Sequence, residues 1–174
     1  MRISFVVVAL AAALVGGIAA AEETALPASV MAEGMRTADC DEPVNADSVI
    51  ETDELGGGQS LVEVRCWRAA YQGGSIFFLV VAEAPDHARL LRFDVPEDNG
   101  ALKSSFSLSD PDFDAKAKIM HSHYKSRGVG DCGTIGEWTW AGSDFKLTNY
   151  WSKPGCDGEL FDDDEKWHVF PPKR

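Results

Sequence analysis

Apolar residues recur at two spacings along this chain, and the spacings divide it into one short helix and a succession of strands. After Leu26 and Pro27, the residues Val30, Met31 and Met35 fall on one helical stripe. Proline at the first helical position pre-sets the backbone, so one short helix is predicted to end near Cys40. Beyond it the period is two. Residues 48–54 and 59–67 alternate about Gly56, Gly57 and Gly58, with Val62, Val64 and Cys66 on one face and Leu61, Glu63 and Arg65 on the other. This pattern predicts a hairpin. Residues 75–82 replace alternation with a continuous Ile-Phe-Phe-Leu-Val-Val run, as a central strand buried on both faces does. Residues 90–95 form the next predicted strand, stopped by Pro96.

Residues 99–115 carry Ser, Asp and Pro111 without a sustained period and read as a loop. Alternation returns over 116–125. A glycine-rich turn follows over 127–133, of a kind that regular helix and strand do not tolerate. Residues 134–140 and 145–151 then flank 141–144, with Trp138 and Trp140 on one face and Phe145 and Leu147 on a matching one, which predicts a second hairpin. Residues 167–170 form a last edge strand before Pro171 and Pro172. No repeat of 20–50 residues is present. The expected fold is mainly β, a single domain of antiparallel meander and hairpins arranged as a sandwich or open barrel, with one short N-terminal helix.

Ahead of this domain, Arg2, an apolar stretch over residues 3–18 and Ala19, Ala20 and Ala21 form the parts of a cleavable export signal. Residues 1–21 are expected to be removed, leaving 22–174 as one β-rich domain without a membrane anchor. The apolar stretch is shorter than a spanning helix needs and is followed by acidic residues rather than a basic stop-transfer cluster. Export implies a periplasmic or secreted protein in an oxidising compartment, where the four cysteines Cys40, Cys66, Cys132 and Cys156 are expected to form two disulfides. Of three possible connectivities, Cys40 with Cys66 and Cys132 with Cys156 is favoured, because each pair brackets one local stretch able to fold back on itself. Each bridge then closes a loop of about 25 residues, which contributes roughly 3–4 kcal/mol in the chain-entropy account. No two cysteines have zinc-knuckle spacing.

Charge narrows the function classes. The chain carries 16 Lys and Arg against 28 Asp and Glu, a net charge of −12, and removal of the signal takes away Arg2 but no acid. Counterion release needs a basic face, so nucleic acid is excluded as a partner, and anionic membrane surfaces are disfavoured on the same ground. A basic protein or envelope component is the partner that such a charge attracts. Nine Phe, five Trp and three Tyr provide enough large side chains for a core, which excludes disorder.

The stretch Lys125-Ser126-Arg127-Gly128-Val129-Gly130-Asp131-Cys132-Gly133 is followed by Trp138-x-Trp140-x-Gly142-x-x-Phe145-x-Leu147 and then Pro154-x-Cys156-x-Gly158. Together they resemble the signature of a family of exported bacterial proteins of unknown function, of alphaproteobacterial type. Cys66-Trp67-Arg68, Ala70-Tyr71 and Phe77-Phe78-Leu79-Val80 resemble that family's upstream block. The resemblance covers residues 61–158. Ser126, Ala141 and Asp157 depart from it, where Gly, Asp and Arg are usual. Members tend to be longer, so the chain resembles the C-terminal part of that architecture. The resemblance implies export, disulfides and fold, and carries no activity.

Candidate chemistry is sparse. His121 and His123 stand two apart in a predicted strand, so both leave the same face, as strand-borne zinc or copper ligands do. A third ligand would have to come from Asp131 or from Asp110, Asp112 and Asp114, and the expectation is two solvent-facing histidines with no cofactor. Asp110-Pro111-Asp112-Phe113-Asp114 opens like a calcium loop, but Ala115 stands where Gly is needed and His121 where a bidentate Glu should close the shell. A solvated acidic turn is expected instead. The turn containing Arg127, Gly128, Gly130 and Asp131 lacks the ending of a phosphate-binding loop. Its expected role is to let Cys132 reach its partner, with Arg127 and Asp131 paired across it. The alternative is a recognition loop completed by Trp138 and Trp140. Among Trp67, Trp138, Trp140, Trp151 and Trp167 most are expected in the core, with exposed ones forming an aromatic platform. The leading expectation is a non-enzymatic binding module. The alternative is a metal-assisted or carboxylate-dependent envelope hydrolase using His121, His123 and Asp131.

Overall fold

The computed structural model describes residues 26–172; the predicted export signal at residues 1–21 lies outside them. Helix α1 (Ala28–Thr37) starts immediately after Pro27, and Cys40 follows it closely. Three strands come next, β1 (Val49–Gly56), β2 (Gln59–Arg68) and β3 (Gly73–Val81), joined as an antiparallel meander. The short β4 (Arg89–Leu90) and β7 (Ser107–Ser109) both pair with β3 to complete the first sheet. The second sheet takes the order β12-β11-β10-β9-β8, from β8 (Pro111–Asp114), β9 (Ile119–Lys125), β10 (Gly133–Trp140), β11 (Phe145–Lys153) and β12 (His168–Phe170). Between them, β5 (Phe93–Pro96) and β6 (Leu102–Ser105) form a separate antiparallel hairpin. Among the described residues no sheet closes into a barrel. Among the described residues no helix is long and apolar enough to cross a membrane.

Strand β3 explains the layering. Successive strand residues point to opposite faces, and β3 is apolar at both parities. Phe77 and Leu79 join a core shared with Leu61 of β2, Met120 of β9, Trp138 of β10 and Tyr150 of β11, so the two sheets face one another as a sandwich. Ile76, Phe78 and Val80 point the other way and meet Met31 and Met35 of α1, together with Val62, Val64 and Cys66. The helix therefore covers the outer face of the first sheet. It lies close there because Gly34 rests on Phe78, where a Cβ would overlap the ring.

Phe93 is the aromatic centre of the sandwich. Its ring meets Phe77 edge-on at 5.7 Å and Trp138 edge-on at 5.6 Å, and stacks on Phe145 at 5.5 Å. Such offset and edge-to-face contacts add about 0.5–1.5 kcal/mol each beyond burial. Trp138 Nε1 also donates to the backbone oxygen of Asp94 at 2.8 Å. A lone two-stranded hairpin is marginal in water, and this bond together with Phe93 fastens β5–β6 to the sandwich.

Both disulfides form with the favoured connectivity, Cys40–Cys66 and Cys132–Cys156. The first ties the end of α1 to β2, and the second ties the start of β10 to the segment after β11.

The structure corrects the sequence reading in four places. Residues 99–115 are not one loop but contain β6, β7 and β8. Each is three or four residues long, too short to show a period, and each is held by a neighbour: β5, β3 and β9 respectively. Residues 90–95 are not one strand. The chain leaves the first sheet after Leu90 and enters the β5–β6 hairpin at Phe93, which lets Leu91 and Phe93 both reach full burial. The strand expected over 116–125 begins only at Ile119, because Asp114 Oδ1 accepts from the amides of Lys116 and Ala117 and holds a turn. Gly133 belongs to β10 rather than to the turn. Its φ of 146° brings it so close to the Tyr124 carbonyl that only glycine fits.

Candidate functional site

The glycine-rich turn folds as a clasp. Arg127 Nε donates to Asp131 Oδ1 at 2.7 Å, and a second guanidinium nitrogen reaches Asp131 Oδ2. The Gly158 amide donates to that same Oδ2 at 2.6 Å. Cys132 beside it is bonded to Cys156, and the Phe161 amide donates to the Gly130 carbonyl at 3.0 Å. Three attachments thus hold the segment after β11 against the turn, and the Arg127–Asp131 pair braces the turn itself. The Asp131 side chain has no solvent exposure. The Arg127 guanidinium, helped by the Gly158 amide, outweighs that burial and holds its carboxyl well below the usual carboxylate range. Gly130 has the positive φ of 73° that this turn needs. To solvent the turn presents Val129 and the ring of Tyr71, against which Gly128 rests.

Trp138 and Trp140, the other two residues of the expected recognition loop, are elsewhere. Both sit on the inward face of β10, Trp138 buried at the core and Trp140 packed against Phe145 at 5.1 Å. None of the five tryptophans is fully exposed: Trp138 and Trp151 are buried, and Trp67, Trp140 and Trp167 are half-buried. Trp67 covers Gly74, Trp151 meets His168, and Trp167 lies over the Lys153 ammonium at 5.2 Å. That ammonium is itself nearly inaccessible and donates to Asp157 Oδ1 at 2.6 Å and to the Glu159 carbonyl at 2.9 Å, a second fastening of the same segment.

His121 and His123 do leave one face of β9, yet their surroundings differ. His121 Nδ1 lies 3.4 Å from Glu137 Oε1, and Glu137 Oε2 accepts from Asn149 at 2.7 Å. Asn149 Oδ1 in turn lies 3.4 Å from His168 Nε2. Strand register makes this polar row, because Glu137 stands opposite both His121 and Asn149. His123 is held under Phe161 with Nε2 buried and unpartnered. Burial and Lys125 push the imidazole pKa down. Among the described residues the one cluster of three potential ligand groups is Asp131, Cys132 and Cys156, and there the disulfide occupies both sulfurs. The acidic triplet also disperses. Asp110 accepts from the Gly73 amide and pairs with Lys125, Asp114 caps its own turn, and Asp112 is exposed.

A groove that the sequence did not announce lies between the β5–β6 hairpin and the β11–β12 side of the second sheet. It encloses about 690 Å³, within the ~300–1,000 Å³ of ligand sites. Tyr150 and Phe170 line it, Leu102 and Val169 stand exposed in its walls, and Glu97 and Asp98 line it at the hairpin loop. No Lys or Arg lines it among the described residues. A second cleft, of about 540 Å³ between α1 and β4, is mixed in charge, with His87, Arg89, Arg92 and Glu33 around it. The sequence signal for the first groove is slight: apolar Leu102 heads an otherwise polar short strand, and Val169 sits between His168 and Phe170.

The chain is 28% identical over 108 residues to the "Uncharacterized protein YpfG" of Escherichia coli (strain K12). That match covers 62% of this chain and 31% of the relative, so the chain spans about a third of the length of the protein it matches. No solved structure matches it. The family described as "Protein of unknown function (DUF1176)" matches residues 5–171. The disulfide-clasped β sandwich is thus a member of the DUF1176 family of proteins of unknown function.

Proposed function

We propose that this chain is an exported binding module that acts without catalysis and associates with a basic protein or envelope component. The observation that carries this reading is the distribution of charge. Arg36, Arg68, Arg89, Lys125, Arg127, Lys153 and Lys166 are each engaged by a carboxylate. Among the described residues, exposed acids such as Glu51, Asp98, Asp112, Asp162 and Asp163 outnumber the exposed bases Arg92, Lys103, Lys116 and Lys146 that remain, in keeping with the net charge of −12. A surface with a net excess of one sign raises the encounter rate with the opposite sign and disfavours like-charged partners. Two disulfides support work in an oxidising compartment, as does the export signal read in residues 1–21.

The test is binding of the oxidised chain to a basic lysozyme, measured by calorimetry at low salt and at about 1 M salt, where the screening length falls to about 3 Å. A control replaces the lysozyme by its succinylated form, whose amines have become carboxylates. The expected result is an association that weakens steeply with salt and is absent with the succinylated protein. No association at low salt, or one indifferent to salt and to succinylation, overturns the reading.

A further inference from the structure

We infer that the groove between the β5–β6 hairpin and the β11–β12 side is where the partner docks, and that it takes an extended basic segment in which Lys or Arg alternates with apolar residues. This rests on the cationic-partner reading above and assigns it a place. Three observations converge on it.

The first is charge. Of the two open clefts described, this one is lined by Glu97 and Asp98 and, among the described residues, by no Lys or Arg, whereas the cleft beside α1 is lined by His87, Arg89 and Arg92 with one acid, Glu33. A cationic segment is attracted to the first more than to the second.

The second is apolar exposure. Leu102 is 47% and Val169 44% exposed, and both flank the groove above Tyr150 and Phe170. Large apolar side chains exposed together around acidic groups are the pattern of an interaction site. Lysine and arginine stems cover such surface while their heads stay at the carboxylates.

The third is rigidity. The loop bearing both acids is closed by Glu97 and Ala101, whose amide and carbonyl meet at 2.8 Å, and by Gly100 donating back to the Glu97 carbonyl at 2.8 Å. Asn99 Oδ1 caps the Ala101 amide at 2.7 Å. Pro96, Pro154 and Pro172 stiffen the walls. A preformed site spares the ordering entropy that binding otherwise costs.

The experiment is titration of the 15N-labelled oxidised chain with acetyl-Lys-Leu-Lys-Leu-Lys-amide, followed by amide shifts, with acetyl-Glu-Leu-Glu-Leu-Glu-amide as control. Saturable shifts are expected at Gly100, Leu102, Ser152 and Val169 with the basic peptide and none with the acidic one. Glu97→Lys/Asp98→Lys and, independently, Leu102→Ser, which removes the apolar contact without adding charge, change exposed positions and are expected to weaken binding, the double charge reversal about tenfold or more. Their thermal unfolding should match the wild type. Shifts confined to residues 162–165 would overturn the groove while leaving the cationic-partner reading in place. Equal response to both peptides would reduce the groove to an apolar cleft and overturn the charge argument. No shifts at millimolar peptide, alongside lysozyme binding as described above, would overturn the groove alone; failure of both would remove the partner reading as well.

Discussion

Asp131 and Arg127 stand four residues apart and meet as a forked ion pair in which the carboxylate is wholly buried while half of the arginine side chain remains in solvent. The pair is the hub of the clasp. Asp131 receives the Gly158 amide as well, and its neighbour Cys132 carries the disulfide to Cys156. One buried carboxylate therefore positions both the turn and the segment that crosses it.

The clasp should give stability a recognisable pH dependence. An unfolded aspartate titrates near pH 4, whereas the folded Asp131 carboxyl is held well below that, chiefly by Arg127. Its contribution is complete above the unfolded value and is lost as pH falls through the depressed folded value. Asp131→Asn is expected to lower Tm at pH 7, with the gap to wild type narrowing below about pH 4. Thermal unfolding followed by circular dichroism across pH checks this. A gap that stayed constant down to pH 2 would show that the carboxylate charge is not what holds the turn.

His123 predicts a second and separate window. Burial under Phe161, with Lys125 nearby, disfavours the charged imidazole, so the folded pKa lies below the unfolded value of about 6.5. The unfolded chain then binds the proton more readily, and stability declines as pH falls below about 6.5. His123→Leu keeps an apolar contact for Phe161 and removes the titration. Urea midpoints from pH 7 to pH 5 should be flatter for the variant than for wild type.

Each disulfide closes a loop, with cysteines 26 and 24 positions apart, and deleting either is expected to cost about 2–5 kcal/mol. The two deletions should be local in different places. Cys132→Ala/Cys156→Ala should speed amide exchange at Gly158 and Phe161, which hang on the clasp. Cys40→Ala/Cys66→Ala should speed it in α1. Identical exchange maps would contradict the division of the molecule into two separately stapled regions.

Gly34 tests how closely α1 is seated. Replacing a mid-helix glycine by alanine favours the helix by about 1 kcal/mol, but here the added Cβ meets the Phe78 ring. Overpacking costs about 1–3 kcal/mol. Gly34→Ala should therefore be neutral to destabilising, and Gly34→Leu clearly destabilising, in urea unfolding. A stabilised Gly34→Ala would mean that the helix shifts off the sheet without penalty.

Much of this architecture was legible in the sequence because the deciding signals are local. The doubly apolar run of β3, the alternation in β2 and the stripe of Val30, Met31 and Met35 each follow from side chains a few positions apart, and they predict which faces are buried. The disulfide pairing was equally accessible, since each bridge spans one local fold-back. The clasp was partly visible too: glycines, Arg127 and Asp131 within one turn foretold a pair, though not the Gly158 amide that completes it. Other features depend on which strands become neighbours, and no spacing along the chain encodes that. The three short strands of residues 99–115 exist because β5, β3 and β9 supply their hydrogen bonds. Trp138 and Trp140 turn inward because their face of β10 meets the first sheet. The row from His121 through Glu137 to Asn149 joins three strands by register, and His168, opposite Trp151 on β12, extends it to a fourth. The groove needs the β5–β6 hairpin to stand beside β11 and β12, which Phe93 and the Trp138–Asp94 bond decide. The sequence determined the elements and their buried faces, because those are set by local periodicity; tertiary structure alone decided the site, because a site is made by residues that only packing brings together.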